Sequence, residues 1–494
     1  MYKKRKMRTY SPRTYTFNLS DFSRGINKEV DENLLNMNYA KVAYNVKTDD
    51  KALKKGYGIK EFSMPNTLFD KQNYFKVPNG VQALGLWSCR VADTEGKIED
   101  LILMYGSNKK IYCAIAYGPA DIFLDTDVTL NAKPSILTYV YNGFETVVMT
   151  SPEDLLYTWN GSNPTASEKA LHLSSICCHY ERLFASSSDE KNRIRFSEDF
   201  NILNWEETSQ AGGFIELVDE RGQVNKVLSF NDYVYILRDY GISRLSAYGD
   251  QSQFAITHLN LSSNKIYSNT ACLCGDRIIL LTQDGLKFIV GSTLYDFDFK
   301  INNLINKEKI NYANACYYNN KYYLAINLNF EDNEKIGCEN EVDYKNNALI
   351  EFDIDSQRLN IMRGIDISHI CAVKVNEINK LIFCFNGQNA STIGELCDSG
   401  NLFEEKLPKC WITPTSDLGI NKKKVVRNLK ILTNQPLTMT LFSEKETQTL
   451  KVCPSKYVQT LQTNLIGYRI GLKIFTNESE LDISNLTVEL DVLD

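Results

Sequence analysis

Along most of this chain, short apolar runs alternate with polar turn residues in a repeating order. The unit is a turn pair, an aromatic or β-branched run, a second turn and a second run. It stands out from Tyr141 (YNGFETVVMTSPEDLLYTWNG) and recurs from Tyr180, Phe230, Cys274, Tyr318 and Glu377. Each copy reads as strand, turn, strand, the middle hairpin of an antiparallel sheet. An imperfect period of roughly 40 to 50 residues with four short strands per unit is the pattern of propeller blades. The run from Leu101 (LILMYGSNKKIYCAIAYG) adds a further unit, which gives six to seven blades. A set of antiparallel sandwiches is the alternative, since those also place a strand every 8 to 12 residues or so. Asn231-Asp232, Gly275-Asp276 and Asp284-Gly285 fall where tight hairpins need left-handed or capping residues.

After about residue 405 the rhythm changes to strict alternation. Tyr468, Ile470, Leu472 and Ile474 point one way, and Arg469 and Lys473 the other. Leu486, Val488, Leu490 and Val492 alternate with Thr487, Glu489 and Asp491. Period two means one wet face and one buried face, hence a small β-sandwich-like C-terminal domain, although its last strand could instead close the first blade. Residues 14–65 differ from both parts, with a turn, a helix-compatible stretch from Asn33 to Tyr44 and a hairpin in AYNVKTDDKALKKGYG, where Asp49-Asp50 serve the turn. The expectation is an all-β protein: an extended N-terminal arm and hairpin over 1–65, a β-propeller over 66–404 and a C-terminal β domain over 405–494.

Composition narrows the classes. The 494 residues are 43% hydrophobic, 11% aromatic and 23% charged, with 11 prolines, which is globular and not disordered. A net charge of −6 is too small to argue for a partner. The charge is uneven, however: Lys3, Lys4, Arg5, Lys6, Arg8 and Arg13 all precede the first acid, Asp21. This stretch reads as a solvated terminus, as an arm lying on an acidic neighbour or nucleic acid, or as a nuclear-import signal. There is no apolar run long enough for a spanning helix and no secretory pattern. The 13 cysteines, scattered from Cys89 to Cys453, sit inside strand-like runs and read as reduced core thiols made in a cytosol, with a disulfide framework as the alternative. The four histidines show no zinc spacing, so neither metal nor cofactor is expected.

Candidate chemistry is sparse. The stretch RIRFSEDFNILNWEE, Arg193 to Glu207, resembles the Asp-box turn of sialidase-like propellers through Ser197, Asp199 and Trp205. Asn201 replaces the glycine of that motif and one extra residue precedes the tryptophan. An Asp box holds a hairpin together and performs no reaction, so these three are structural blade-turn residues. Phosphate loops, His-Glu-x-x-His and Gly-x-Ser-x-Gly elbows are absent. DIDSQRLNIMRG from Asp353 starts like a calcium loop but lacks its sixth-position Gly and final Glu. The chain reads as a non-enzyme.

FSRGIN together with AYNVKTDDKALKKGYG resembles the N-terminal signature of tailed-bacteriophage tail-hub, or packaged-DNA stabilisation, proteins and related propeller-bearing nozzle proteins. The matches are Phe22, Gly25, Ile26, Asn27, Leu34, Leu35, Asn45-Val46, Leu53 and Gly58. Lys51 departs where Gly is usual, and Gly56 where Arg is usual. RIRFSEDFNILNW, the stretch from Gly212 and DRIILLTQDGLKFIVG follow the same family's order. The resemblance implies a virion protein, synthesised in the bacterial cytoplasm, in a homo-oligomeric ring, six-fold, below the portal and its adaptor. Such a ring retains packaged double-stranded DNA without reading its sequence, forms part of the exit channel and carries other tail proteins. It also implies contacts to neighbouring subunits through Lys3, Lys4, Arg5, Lys6, Arg8, Phe22, Gly25, Asn27 and Asn45. Two other readings stand beside it: a carbohydrate-binding or sialidase-like propeller acting as a receptor-binding tail protein, and a cytosolic scaffold propeller.

Overall fold

The two apolar runs of each repeating unit become the second and third strands of a four-stranded sheet. The computed structural model describes residues 13–49, 51–65, 72–92, 95–115, 123–208, 211–260, 264–375 and 378–493. Six sheets are built from consecutive strands, within residues 83–129, 135–170, 173–216, 224–260, 266–296 and 314–363. A seventh begins with Ile367–Val375, Ile378–Phe385 and Gly394–Cys397. The innermost strand of each blade touches that of the next, and Ile367–Val375 touches Ala83–Ala92, so the ring closes with seven blades.

Burial follows this geometry. Second strands such as Leu101–Tyr105 and Ile278–Leu281 are buried residue after residue, because a neighbouring blade covers each face. The outermost strands Leu124–Thr129 and Pro164–Ala170 are mostly exposed. The turns use the expected backbone: Asn231, Gly275 and Gly285 have φ of 51°, 62° and 127°. Asp353 closes an ordinary hairpin, its carboxylate accepting from the N–H and hydroxyl of Ser356 at 2.8 Å each.

The fourth strand of the seventh blade comes from the other end of the chain. Gly58–Glu61 pairs antiparallel with Gly394–Cys397, placing Ile59 opposite Leu396. Ile59 is fully buried among Tyr323, Phe383 and Phe385. The ring is thereby closed by the N-terminal segment and not by the last strand of the chain.

Residues beyond 408 form a sandwich of two five-stranded sheets. One holds Lys424–Ile431, Gln459–Gln462, Ile466–Gly467 and Leu486–Val492, with Thr14–Leu19 as an edge strand paired to Leu486–Val492. The other runs Val42–Tyr44, Lys409–Ile412, Ile470–Thr476, Leu437–Ser443, Thr447–Val452. Ile470, Leu472, Ile474, Leu486, Val488 and Leu490 are buried, as alternation requires. Tyr468 is not: it is 52% exposed, because its strand starts only at Ile470.

Two expectations for the N-terminal part are corrected. Asn33 to Tyr44 is not helical; it holds a 3-10 turn at Glu32–Leu34 and the strand Val42–Tyr44, whose pairing with Lys409–Ile412 outweighs local propensity. Nor do residues 13–65 form an arm reaching outward. They supply two strands to the sandwich and one to the propeller, with the hairpin Val46–Asp49 and Ala52–Lys55 between. All 13 cysteines are free thiols.

Candidate functional site

The residues that carry the N-terminal signature converge on the seam between propeller and sandwich. Phe22 is fully buried and meets Trp411 edge to face at 5.4 Å. Gly25, with φ 64°, turns the chain so that its N–H donates to the Phe22 carbonyl at 3.3 Å. The Asn27 side-chain oxygen accepts from the N–H groups of Glu29 and Val30 at 3.0 and 3.4 Å.

Asn45 is the densest node. Its φ of 56° is left-handed, a conformation that Asn tolerates better than most residues. The side chain donates to the Pro408 carbonyl at 2.7 Å and accepts from the Arg363 N–H at 2.8 Å. The backbone donates to Ile361 and accepts from Gly56. One residue thus joins the sixth blade, the connection into the sandwich and the hairpin that leads to the closing strand.

Both departures from the family pattern acquire a meaning here. Lys51 has φ 69°, where glycine is the unstrained choice. A Cβ on Gly56 would stand 2.7 Å from the Asn45 carbonyl carbon, so an Arg would push the seam apart. Phe22, Gly25, Asn27 and Asn45 are expected at contacts with neighbouring subunits, and the structure corrects this. Their bonds and packing are made within the chain, because the sandwich and the last blade take their missing strands from this segment. Lys3, Lys4, Arg5, Lys6 and Arg8 lie outside the described residues.

Sequence reading misses the ion pair behind the seam. Arg363 and Glu341 are both buried and 2.5 Å apart, and the Gly364 N–H donates to the same carboxylate at 2.9 Å. The guanidinium lies 5.0 Å from the Tyr44 ring centroid and 4.2 Å from that of Phe330. Burial raises the Glu341 pKa, against the pull of Arg363. No local motif marks either residue; only the fold brings them together.

Beside the seam lies a cleft of about 300 Å³ whose lining includes Asp21, Arg24, Lys47, Lys300 and Arg358. Asp21 is turned into the chain, accepting from the Ser23 hydroxyl and N–H, and these bonds lower its pKa. Lys47 pairs with Asp398 at 2.8 Å and Lys300 with Asp298 at 3.6 Å, while Arg24 and Arg358 are exposed. Four cations and one carboxylate thus line the cleft, and two of the cations are paired with carboxylates beside it.

The residues of the Asp-box-like turn bond within their own blade. The Ser197 hydroxyl accepts from the Leu183 N–H and donates to the Glu198 carbonyl, both at 3.0 Å. Asp199 pairs with Arg182 at 2.5 Å, and the buried Trp205 indole donates to the Ile202 carbonyl at 2.8 Å. The turn also supports a patch that the sequence did not reveal. Tyr180, Phe200 and Tyr248, on three turns of the third and fourth blades, are 42%, 69% and 72% exposed. Tyr180 and Tyr248 meet edge to face at 5.3 Å, and the Phe200 N–H donates to the Glu181 carbonyl at 3.1 Å. Phe200 has φ 59°, an uncommon conformation for a bulky residue. The Tyr180 hydroxyl reaches the Asp232 carboxylate at 3.3 Å.

Among the described residues, no group of three or more His, Cys, Asp or Glu side chains is placed to hold a metal ion. No family model matches the chain, and no curated protein matches it. Several solved structures are similar in outline. BamB from Moraxella catarrhalis is 10% identical with a TM-score of 0.37, over 71% of this chain and 95% of that one. The AfRom2 CNH domain is 8% identical with a TM-score of 0.39, over 66% and 96%. The computationally designed Ika8 protein is 11% identical with a TM-score of 0.35, over 64% and 99%.

Proposed function

We propose that this chain is a non-enzymatic structural protein of a tailed-phage virion, a ring-forming tail-hub or nozzle subunit below the portal that helps retain packaged DNA. The observation that carries the reading is the seam. Phe22, Gly25, Asn27 and Asn45, which match the family's signature, form the intramolecular clamp that fastens propeller to sandwich. A subunit that bears load between two ring neighbours needs its two halves fixed to each other, and such a clamp does this.

The reading also needs a path for the duplex, and the propeller's own axis is a poor one. Lys133, ahead of the second blade, contacts His369 of the seventh at 3.2 Å, and Lys226 of the fourth blade reaches the Ala271 carbonyl of the fifth at 2.7 Å. Side chains from distant blades that approach this closely leave no passage for a double helix. In this reading DNA passes through the centre of the ring of subunits, and the cationic cleft serves contacts with acidic neighbours or phosphates. Mass photometry and negative-stain imaging of the protein, alone and with purified portal–adaptor complex, test the proposal. Closed rings or docking on the connector support it; a monomer that ignores the connector overturns it.

The patch of Tyr180, Phe200 and Tyr248 favours a second reading, a carbohydrate-binding propeller on a receptor-binding tail protein. Exposed aromatic faces beside Asp232 suit sugar rings and their hydroxyls. Binding on a glycan array that is lost in Tyr248→Ala separates this reading from the first.

A further inference from the structure

The seven innermost strands share a property that the chain as a whole does not. The chain has 61 Asp and Glu residues. None lies in Ala83–Ala92, Ser135–Tyr141, Leu173–His179, Val224–Phe230, Ile266–Cys274, Asn314–Tyr318 or Ile367–Val375. The same strands carry Arg90, Lys226, Lys374 and two histidines. In an acidic protein the innermost strands are thus free of carboxylates and carry cations, of which Arg90 pairs with Asp100 of the adjacent strand at 2.9 Å.

Two lysines at the axis have backbone or imidazole partners in place of a carboxylate. Lys28 pairs with Glu334, Lys321 with Glu351 and Lys380 with Glu395, at 2.7 to 2.9 Å, whereas Lys309, Lys409 and Lys424 donate to backbone carbonyls. Among the described residues, neither Lys133 nor Lys226 has a carboxylate within ion-pair distance. Lys226 donates to the Ala271 carbonyl at 2.7 Å. Lys133 reaches His369 Nδ1 at 3.2 Å, and His369 Nε2 lies 3.0 Å from the Leu86 carbonyl oxygen. That carbonyl accepts only from an N–H, so Nε2 carries the proton and Nδ1 accepts from the ammonium of Lys133. His369 is thus a positioning residue, and each ammonium retains two further N–H donors. Lys133 is exposed to water, and Lys226 is half-buried. A half-buried ammonium without a counter-charge, as at Lys226, carries a desolvation cost, and a mobile anion offsets part of it.

We infer that the propeller axis is a binding site for phosphate-type oxyanions, held by Lys133 and Lys226 with His369 orienting Lys133. Lysine stems are long and flexible enough to swing toward a ligand between them. The inference stands apart from the virion reading, because it needs only the ring of blades.

Calorimetric titration of the full chain with orthophosphate and with tripolyphosphate, in a chloride buffer, tests it. Binding of orthophosphate assigns a single ion; binding of tripolyphosphate alone assigns a linked phosphate chain that spans both lysines. Lys133→Met and Lys226→Met should each weaken the interaction at least tenfold. Failure of both ligands to bind, or unchanged binding in both variants, overturns the site. A second measurement needs no variant: bound phosphate should shield Lys133 and Lys226 from reductive methylation, read by peptide mass spectrometry. Equal methylation with and without ligand overturns the inference even if the variants do not fold.

Discussion

The propeller and the sandwich are both β structures, but they bury different things. The sandwich follows the alternation rule, with Ile470, Leu472 and Ile474 inward and lysines or glutamates outward. The propeller covers both faces of its sheets, so its second strands are apolar throughout and small thiols fill tight places near the axis. All the cysteines but Cys410 and Cys453 belong to it. Period-two alternation protects a sheet with one wet face; continuous burial protects one with none. The second arrangement leaves more titratable groups without water.

The largest expected consequence is alkaline lability of the propeller. Burial pushes the thiols of Cys89, Cys316 and Cys384 up to about 12, from an ordinary 9.0. Their folded pKa lies above the unfolded one. The stability they contribute is therefore full below about pH 9 and is lost as pH rises toward 12. Each such thiol costs about 1.4 kcal/mol per pH unit across that window, and several act together. Denaturant unfolding in reductant at pH 8 and pH 10 should show the propeller weakened far more than the sandwich. Trp87, Trp159 and Trp205 report the former and Trp411 the latter. Equal loss in both halves would break the contrast.

The seam sharpens it. Glu341→Ala leaves the Arg363 guanidinium buried without its partner. We expect a loss of about 3–5 kcal/mol, felt in both tryptophan signals because Arg363 also meets Asn45 and Tyr44. A loss confined to the propeller signal would mean that the halves unfold independently. Ile59→Ala, in the closing strand, should cost about 2–5 kcal/mol and act first on the propeller; Leu472→Ala is the matching change in the sandwich. The smallest expected effect is that of Asn45→Gly, which keeps the left-handed backbone and removes two side-chain hydrogen bonds. About 1–3 kcal/mol is expected, and a larger loss on chemical denaturation would show that the node does more than these bonds.

Much of the propeller is legible in the chain because its signals are local. Seven hairpins can be read from turn residues and flanking apolar runs, and each becomes the central pair of a blade. The Asp-box-like turn is legible for the same reason, since Ser197, Asp199 and Trp205 act within a few residues of one another. The candidate site is legible only in part. Asn45 can be singled out, but its role is misread: its partners Pro408 and Arg363 are more than 300 positions away. Arg363 and Glu341, and the aromatics Tyr180, Phe200 and Tyr248, carry no motif. They become a pair and a patch only when separate turns meet.

The sequence by itself determined the all-β class, the repeating four-strand unit and the change to a separate domain near residue 405. Each depends on side-chain periodicity and on backbone preferences within a dozen residues. Only the tertiary structure decided where the N-terminal segment goes. A strand edge accepts whichever segment can satisfy its N–H and C=O groups, and which edge remains open depends on how the whole ring closes. Ring closure left an edge at Gly394–Cys397, and the sandwich left one at Leu486–Val492. The N-terminal segment fills both, and that turns Phe22, Asn27 and Asn45 inward.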